Sequence, residues 1–366
     1  MERRITQQGI AEALGLSLRT VQRSFADSDK VAERTKAQIR NYAAEVGYRP
    51  DRRAQALSRA VQRQITLFSS AAPEFFWGRV GAGVALASRQ LGQYGFEAFH
   101  RTIEARNTAA YIRRLNQSLA DGLDAAAVVN NPEYDMGRIF GFLDHHAVPY
   151  ITLNIDAPET ARLCCVGPDY GEGGRIAAEF MGKTIRRPGR VLVIHNPVDS
   201  GHALAGAHVN EERLLQFVSY LSLHFPELDH QVMSFAADRD QREIADELEA
   251  HLADGGDELQ GIYSISGMHD ILGDLILRRG LENRYISLVH GLSPRTAIYL
   301  RSHAFTAAID QHPLLQGYFA VKVLEHYLEY GRLPSPLPPV SQRIVIGSSL
   351  GDEENFALLS ALQSGL

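Results

Sequence analysis

Hydrophobic positions along the chain follow two regimes. Between residues 6 and 46 the apolar residues recur every three to four positions, in three short stretches. Thr6 can cap a helix carrying Ile10, Ala11 and Leu14, and Gly15 breaks the pattern. Ser17 can cap a second helix over Leu18–Phe25, with Val21 and Phe25 pointing one way. A third helix is predicted from about Ala32 to Val46, burying Ile39, Tyr42, Ala43 and Val46 and ending at Gly47. From Gln64 onward, short apolar runs alternate with amphipathic stretches. The runs predict strands at Ile65–Ser69, Phe96–His100, Ala125–Val129, Tyr150–Leu153, Val191–His195, Gly261–Ser264, Ile286–Val289 and Ala307–Ile309. The stretches predict helices at Val80–Gln93, Ala109–Leu119, Gly173–Met181, Glu211–Leu223, Arg242–Ala253, Ile271–Arg278 and Leu315–Tyr330. Strand–helix alternation implies an α/β class: doubly wound parallel sheets with helices on both faces. About 300 residues suffice for two such units with a ligand cleft at the carboxyl ends of the strands.

Composition narrows the class. At 366 residues, with 45% hydrophobic and 22% charged residues, the chain reads as a globular protein of two or three domains. No apolar run approaches the roughly 20 residues of a membrane helix, and Met1-Glu2-Arg3-Arg4 opens no secretory signal. The expectation is a cytoplasmic protein without a membrane partner. Cys164 and Cys165 are adjacent and cannot staple distant segments; they read as small apolar residues of a buried strand. The net charge of −6 hides an asymmetry: residues 1–64 hold thirteen Lys/Arg against seven acids, or +6, leaving −12 for the rest. A basic module on an acidic body suggests a polyanion-binding part and a part with another task.

The exposed face of the second predicted helix carries Leu18, Arg19, Gln22 and Arg23. Helix, glycine-containing turn, helix is the geometry that places a second helix in the major groove. There Arg forks onto guanine, Gln pairs with adenine and Leu touches a thymine methyl. Ser17, Lys30 and Tyr48 suit phosphate contacts that set register. A three-helix bundle with a merely polar surface is the alternative, and turn glycine, cap, polar face and positive charge together favour DNA. Beyond Pro50, Asp51–Ser58 is too short to hold a helix in water alone. It can order on DNA, with Leu57 as a minor-groove wedge, or remain a frayed linker.

The segments IAEALGLSLRTVQRSF and VAERTKAQIRNYAAEVGYRPDRRAQAL resemble the DNA-binding head of LacI-type transcription regulators over almost all of residues 5–59. The resemblance implies base reading by Leu18, Arg19 and Gln22, with Arg23 beside them, and minor-groove hinge roles for Ala54 and Leu57. Gln22 departs from the family, which usually has Ser there, so the operator half-site is expected to deviate.

In the body, Phe76 and Trp77 follow the first strand as a candidate platform for a sugar face, although core packing is the commoner role. Asn154 follows the fourth strand and can bond a ligand hydroxyl or hold a turn. Arg213, on a helix opened by His208–Glu212, can fork onto a carboxylate, phosphate or diol. His290-Gly291 and Asp310-Gln311-His312 end later strands. From about 64 to 348 the body resembles the type I periplasmic sugar-binding fold that LacI-type regulators carry as a sensor. By that resemblance Phe76, Trp77, Asn154, Arg213 and Gln311 fall at sugar-contact positions, and His290 falls near one. The family's Asn-Asp pair is replaced by Gly267-Met268, followed by His269 and Asp270; Gln216 replaces a Gly, and Gly291-Leu292 stand where an acid is common. Fewer carboxylates suit a less hydroxylated or an anionic ligand.

No enzyme signature is present. A Walker loop, a His-Glu-x-x-His helix and a Cys-x-x-Cys pair are absent, and Gly81-Ala82-Gly83 sits inside a helical pattern. Fourteen histidines are scattered, and His145-His146 reads as a solvated helix end. Ser200, near His195, Asp199 and His202, lacks a nucleophile elbow. Neither cofactor nor metal is expected. The domains expected are 1–50 (helix-turn-helix head), 51–63 (hinge), 64–350 (effector binding and dimerisation) and 351–366 (tail). The expected function is a repressor-like homodimer whose affinity for double-stranded operator DNA responds to a sugar or sugar derivative. The alternative is a solute-binding protein with no DNA role.

Overall fold

A computed structural model describes residues 5–25, 31–46, 48, 62–104, 107–197, 208–236, 239–265 and 267–351. Lys30, Gly47, Ala54, Leu57, most of the expected hinge, Asp199, Ser200 and His202, and the residues after Gly351 lie outside these residues. The chain divides into two compact units, one of residues 1–62 with 91–96 and one of 63–90 with 97–366.

In the first unit, α1 (Gln7–Leu14), α2 (Leu18–Phe25) and α3 (Glu33–Glu45) enclose a small core of Ile10, Ala11, Val21, Ile39 and Ala43. The caps are those the side chains favour. Thr6 Oγ1 accepts from the Gly9 amide at 3.1 Å and Ser17 Oγ from the Thr20 amide at 3.1 Å. Gly15 takes φ +65°, a left-handed conformation that a Cβ would strain, and so lets α1 stop and α2 start within three residues.

The second unit holds two α/β lobes. In the first, β1 (Arg63–Ser70), β2 (Phe96–Ile103), β3 (Leu123–Val128), β4 (Tyr150–Leu153) and β5 (Cys165–Val166) run in the order β2-β1-β3-β4-β5. In the second, β6 (Gly189–His195), β7 (Leu228–Ser234), β8 (Leu259–Ser264), β9 (Ile286–His290), β10 (Ala307–Asp310) and β11 (Arg343–Val345) run β11-β10-β9-β8-β6-β7. Read from the β7 edge, the second sheet repeats the order of the first and adds β11, which pairs antiparallel with β10. Strands β1, β3, β4 and β5 pair in parallel, as do β6 to β10. Central strands are buried on both faces, as residues 65–70 illustrate, which explains their continuous apolar runs.

Helices α4 (Glu74–Leu91), α5 (Thr108–Ala120), α6 (Met136–His145), α7 (Tyr170–Thr184), α8 (Val209–His224), α9 (Gln241–Asp254), α10 (His269–Arg279), α11 (Pro294–Arg301) and α12 (Pro313–Tyr330) flank the sheets. Helix α12 follows β10 of the second lobe yet packs on β1, β3, β4 and β5 of the first. The chain therefore passes between lobes at 167–169, 311–312 and 331–342 among the described residues. Where α4 and α12 cross, the backbones meet at Gly83 and Gly317; a Cβ on either would collide with the other helix's carbonyl oxygen, at Leu314 or Val80.

The structure adds elements the pattern did not show. Strand β7 lies at an edge with only Leu228 and Met233 buried, so its polar sequence lacked a strand signature. Helix α6 contains Gly137 and Gly141, which weaken its propensity, and forms because Met136, Ile139, Phe140 and Leu143 are buried and Asp135 caps it. Helix α11 has only eight residues, started by the Ser293 cap and Pro294. Helix α4 starts at Glu74 rather than near Val80, because Trp77 continues the buried row Val80, Val84, Ala87 and Leu91. Phe76 and Trp77 thus stand on a helix. Cys165 lies in β5, and His145 ends α6 in solvent, with His146 beyond it. Among the described residues no helix is long and apolar enough to cross a membrane.

Candidate functional site

The carboxyl ends of the second sheet and the helices that follow them build a polar wall. Strand β8 delivers Tyr263 and Ser264, β9 ends in His290, and α10 begins with His269. The first turns of α7 and α8 add Tyr170, Asn210 and Arg213. These last two helices pack so closely that a Cβ on Gly174 would strike the Arg213 carbonyl oxygen.

Arg213 is 4% exposed. Its guanidinium carbon lies 4.8 Å above the Tyr170 ring, and Nη1 donates to Asn210 Oδ1 at 3.3 Å. Its Nε has no partner, and no described carboxylate forms an ion pair with it. Burial lowers its pKa, but a guanidinium remains protonated. Beside it the Tyr263 hydroxyl and His290 Nε2 share a hydrogen bond of 2.7 Å, leaving His290 Nδ1 buried and unpartnered. His269 Nε2 and Ser264 Oγ are likewise buried without partners. Burial holds His290 well below the usual imidazole range, with the Arg213 charge and His269 acting in the same direction. Burial pushes His269 down to about 4, opposed by the Ser264 backbone and aided by Arg213. Both rings are neutral at pH 7. Burial also raises the phenols of Tyr170 and Tyr263, which stay protonated.

A second group ties the lobes together. Asn154, just after β4, has φ +62°. The Tyr170 hydroxyl lies 2.9 Å from both its carbonyl oxygen and Oδ1 and can donate to either. Asn154 Nδ2 donates to Gln316 Oε1 at 3.0 Å, and Gln316 Nε2 donates to the Gln311 carbonyl at 2.8 Å. The Asn154 amide is therefore engaged by the helices that follow two of the passages between lobes.

A third group lines two cavities beside α4. Phe75, Phe76 and Arg79 of α4 share a small cavity with Gly291, Leu292, Asp310 and Gln311. A cavity of about 410 Å³ adjoins it, lined by Phe75, Arg79, Leu292, Pro294 and Arg301 among others. Asp310, 2% exposed, faces Arg343 Nη2 at 3.3 Å, Arg79 Nη1 at 3.8 Å and His312 Nδ1 at 3.9 Å. Phe76 packs edge-on against Trp77 at 4.9 Å, and Trp77 is 8% exposed. The aromatic pair divides its work: Phe76 faces the cavity while Trp77 joins the lobe interior.

In the separate N-terminal unit, Leu18, Arg19 and Gln22 are exposed on one face of α2, Arg23 is half-buried, and Val21 and Ser24 are buried behind them. The Ser17 hydroxyl caps α2 and bonds Thr20 Oγ1 at 2.8 Å. Tyr48 packs on Phe25 at 5.5 Å. Of the residues singled out from the sequence, Phe76 and Gln311 line the small cavity, Arg213 and His290 belong to the polar wall and Asn154 bonds Gln316; Tyr170, Tyr263 and Arg79, which join these groups, were not singled out. His269 was noted only as following a replaced pair. Tyr170 stood at a helix start and Tyr263 inside a strand, positions that read as core; among the described residues no group of three or more His, Cys, Asp or Glu is placed to hold a metal.

Two doubly wound lobes of the same strand order are joined by three passages, with polar groups gathered at the carboxyl ends of the second sheet's strands. Residues 65–332 match the family model described as "Periplasmic binding protein domain", and the chain belongs to that family. It is 24% identical over 266 residues to the HTH-type transcriptional regulator PtxS of Pseudomonas plecoglossicida, covering 72% of each chain. The fold resembles that of a putative LacI transcriptional regulator from Bacteroides fragilis (TM-score 0.64, 16% identity, 79% of this chain and 98% of that one). It also resembles a sugar ABC transporter sugar-binding protein from Bacillus halodurans (TM-score 0.66, 19% identity, 80% and 99%). A Burkholderia graminis solute-binding protein solved with D-arabinose is a further neighbour (TM-score 0.64, 17% identity, 80% and 98%).

Proposed function

We propose that the protein is a LacI-type, sequence-specific transcription regulator of the cytoplasm, a repressor acting as a homodimer, whose operator affinity is set by a small sugar or sugar derivative. The observation that carries this reading is the exposed Leu18–Arg19–Gln22 face on a helix whose opposite side, Val21 and Ser24, is buried. Such a face has no role in the core of its own unit and has the chemistry of base readout. The basic balance of residues 1–64 and the regulator relative support it. In this reading residues 1–50 read DNA and 51–63 form the hinge, with Ser17, Arg23, Lys30, Tyr48, Ala54 and Leu57 in supporting contacts. Residues 64–350 bind the effector and the partner copy. Effector binding biases two cleft geometries, and so the spacing of the two heads over their half-sites. Phe76, Arg213, His290 and Gln311 face the effector, with Trp77 behind Phe76 and Asn154 at the hinge.

A second reading, a sugar-binding protein without a DNA role, is favoured by the number of sugar-binding proteins that share the fold. Selection of bound duplexes from a random pool by the full-length chain separates the two. The regulator reading expects an enriched two-fold symmetric motif. Arg19→Ala is expected to lose preference at one base pair of each half-site, at a cost of roughly 1–3 kcal/mol. Recovery of no motif leaves only the second reading.

A further inference from the structure

The second-lobe wall holds a buried positive charge and several unmet hydrogen bonds but, among the described residues, no negative partner. Arg213 is nine-tenths buried and more, its Nε is unpartnered, and its described neighbours are neutral: Asn210 on Nη1 and the Tyr170 ring beneath the guanidinium. Of the other described carboxylates nearby, Asp310 has cations of its own, and Glu211 lies beside an imidazole whose pKa burial lowers. Glu211 Oε1 lies 3.9 Å from His195, and Asp310 is surrounded by Arg79, Arg343 and His312. A guanidinium taken out of water is costly unless an anion meets it, and a fork presented this way matches a carboxylate. The groups beside it suit hydroxyls. His290 Nδ1, His269 Nε2 and Ser264 Oγ are buried without partners, and His290 is steadied by Tyr263 through its other nitrogen.

We infer that this wall recognises a sugar acid: its carboxylate on Arg213 and its hydroxyls on His269, His290 and Ser264. The inference deepens the effector-binding half of the proposed function and is independent of its DNA-binding half. One cation among neutral donors and acceptors balances one negative charge. A phosphate ester, carrying about −1.5 to −2 at neutral pH, leaves close to a full charge uncompensated. A neutral aldose offers the guanidinium hydroxyl oxygens to donate to but no charge to balance it.

Titration calorimetry of the full-length chain at pH 7.5 tests this with matched probes. These are D-gluconate against D-glucose, D-galactonate against D-galactose, D-arabinonate against D-arabinose and D-xylonate against D-xylose, with D-glucuronate and D-glucose 6-phosphate added. At least one acid is expected to bind, its parent sugar at least roughly tenfold more weakly. Arg213→Gln is expected to erase the preference. Arg213→Lys, which keeps the charge and loses the fork, is expected to weaken binding while keeping the preference, and it serves where the Gln variant does not fold by circular dichroism. The inference is overturned by a parent sugar that binds as tightly as its acid, by the phosphate ester outranking every acid, by silence of all the acids, or by acid preference surviving Arg213→Gln. The duplex selection above is scored separately. A protein that selects DNA but prefers neutral sugars refutes only this inference, and one that binds an acid without selecting DNA refutes only the regulator reading.

Discussion

Arg213, His269 and His290 illustrate how burial sets chemistry at single residues. Surroundings that leave a guanidinium charged force nearby imidazoles to stay neutral, since every added positive charge must also leave water. The consequence for stability has a definite sign. His269 has its folded pKa lowered from 6.5 to about 4 by burial. Between those values the unfolded chain binds a proton that the folded chain refuses, so acidification favours unfolding. The full span is worth on the order of 3 kcal/mol for this residue. His100, His195, His290 and His312 shift the same way, chiefly through burial. The melting temperature is expected to fall steadily from pH 6.5 to 4.5 in scanning calorimetry, and His269→Gln is expected to flatten part of the slope. Equal melting temperatures at both ends contradict the burial argument. The sequence singled out Arg213 as a cation on a helix opened by polar residues, with a fork suited to a ligand. Tyr263 was not singled out, because a tyrosine within an apolar strand has the pattern of core, and only its contact with His290 makes it part of the site.

At the scale of elements, the period of the pattern found the central strands and the longer helices, because those are buried on a whole face. It failed where neighbours stabilise a segment: the β7 edge, paired residue by residue with β6 from Gly189↔Leu228 to His195↔Ser234, and the glycine-containing α6. The crossing of α7 and α8 is an element-level device for the site. Gly174 lets the two helices approach until the Arg213 carbonyl occupies the space of a Cβ. Gly174→Ala must push α8 outward and carry Arg213 with it. Expected outcomes are a loss of roughly 1–3 kcal/mol in chemical denaturation and weakened binding of whichever calorimetry probe the wild type binds. An alanine variant of unchanged stability and affinity would show that the helices have room to spare.

For the whole molecule, charge and connectivity matter most. A +6 head and a −12 body make any duplex binding a property of the head, opposed by the body. Duplex affinity is therefore expected to drop more than about tenfold between 50 and 200 mM salt, read by fluorescence anisotropy, because phosphate contacts release counterions. A flat salt response rules out phosphate contacts as the source of affinity. The passages at 167–169 and 311–312 are braced by Tyr170, Asn154, Gln316 and Gln311, which tie the two sheets together.

Local information was enough for the class of fold, the split between a basic head and an acidic α/β body, the caps Thr6 and Ser17, and the exposed face of α2. These follow from period, propensity and charge, which neighbours in the chain set among themselves. Which polar groups meet one another was decided by tertiary structure alone. Asn154 and Gln316 are 162 positions apart, Tyr263 and His290 are 27 apart, and Tyr170 meets Arg213 across a helix crossing. Whether a buried polar atom is satisfied depends on what folding brings against it, and that is a relation between elements that no window of sequence contains.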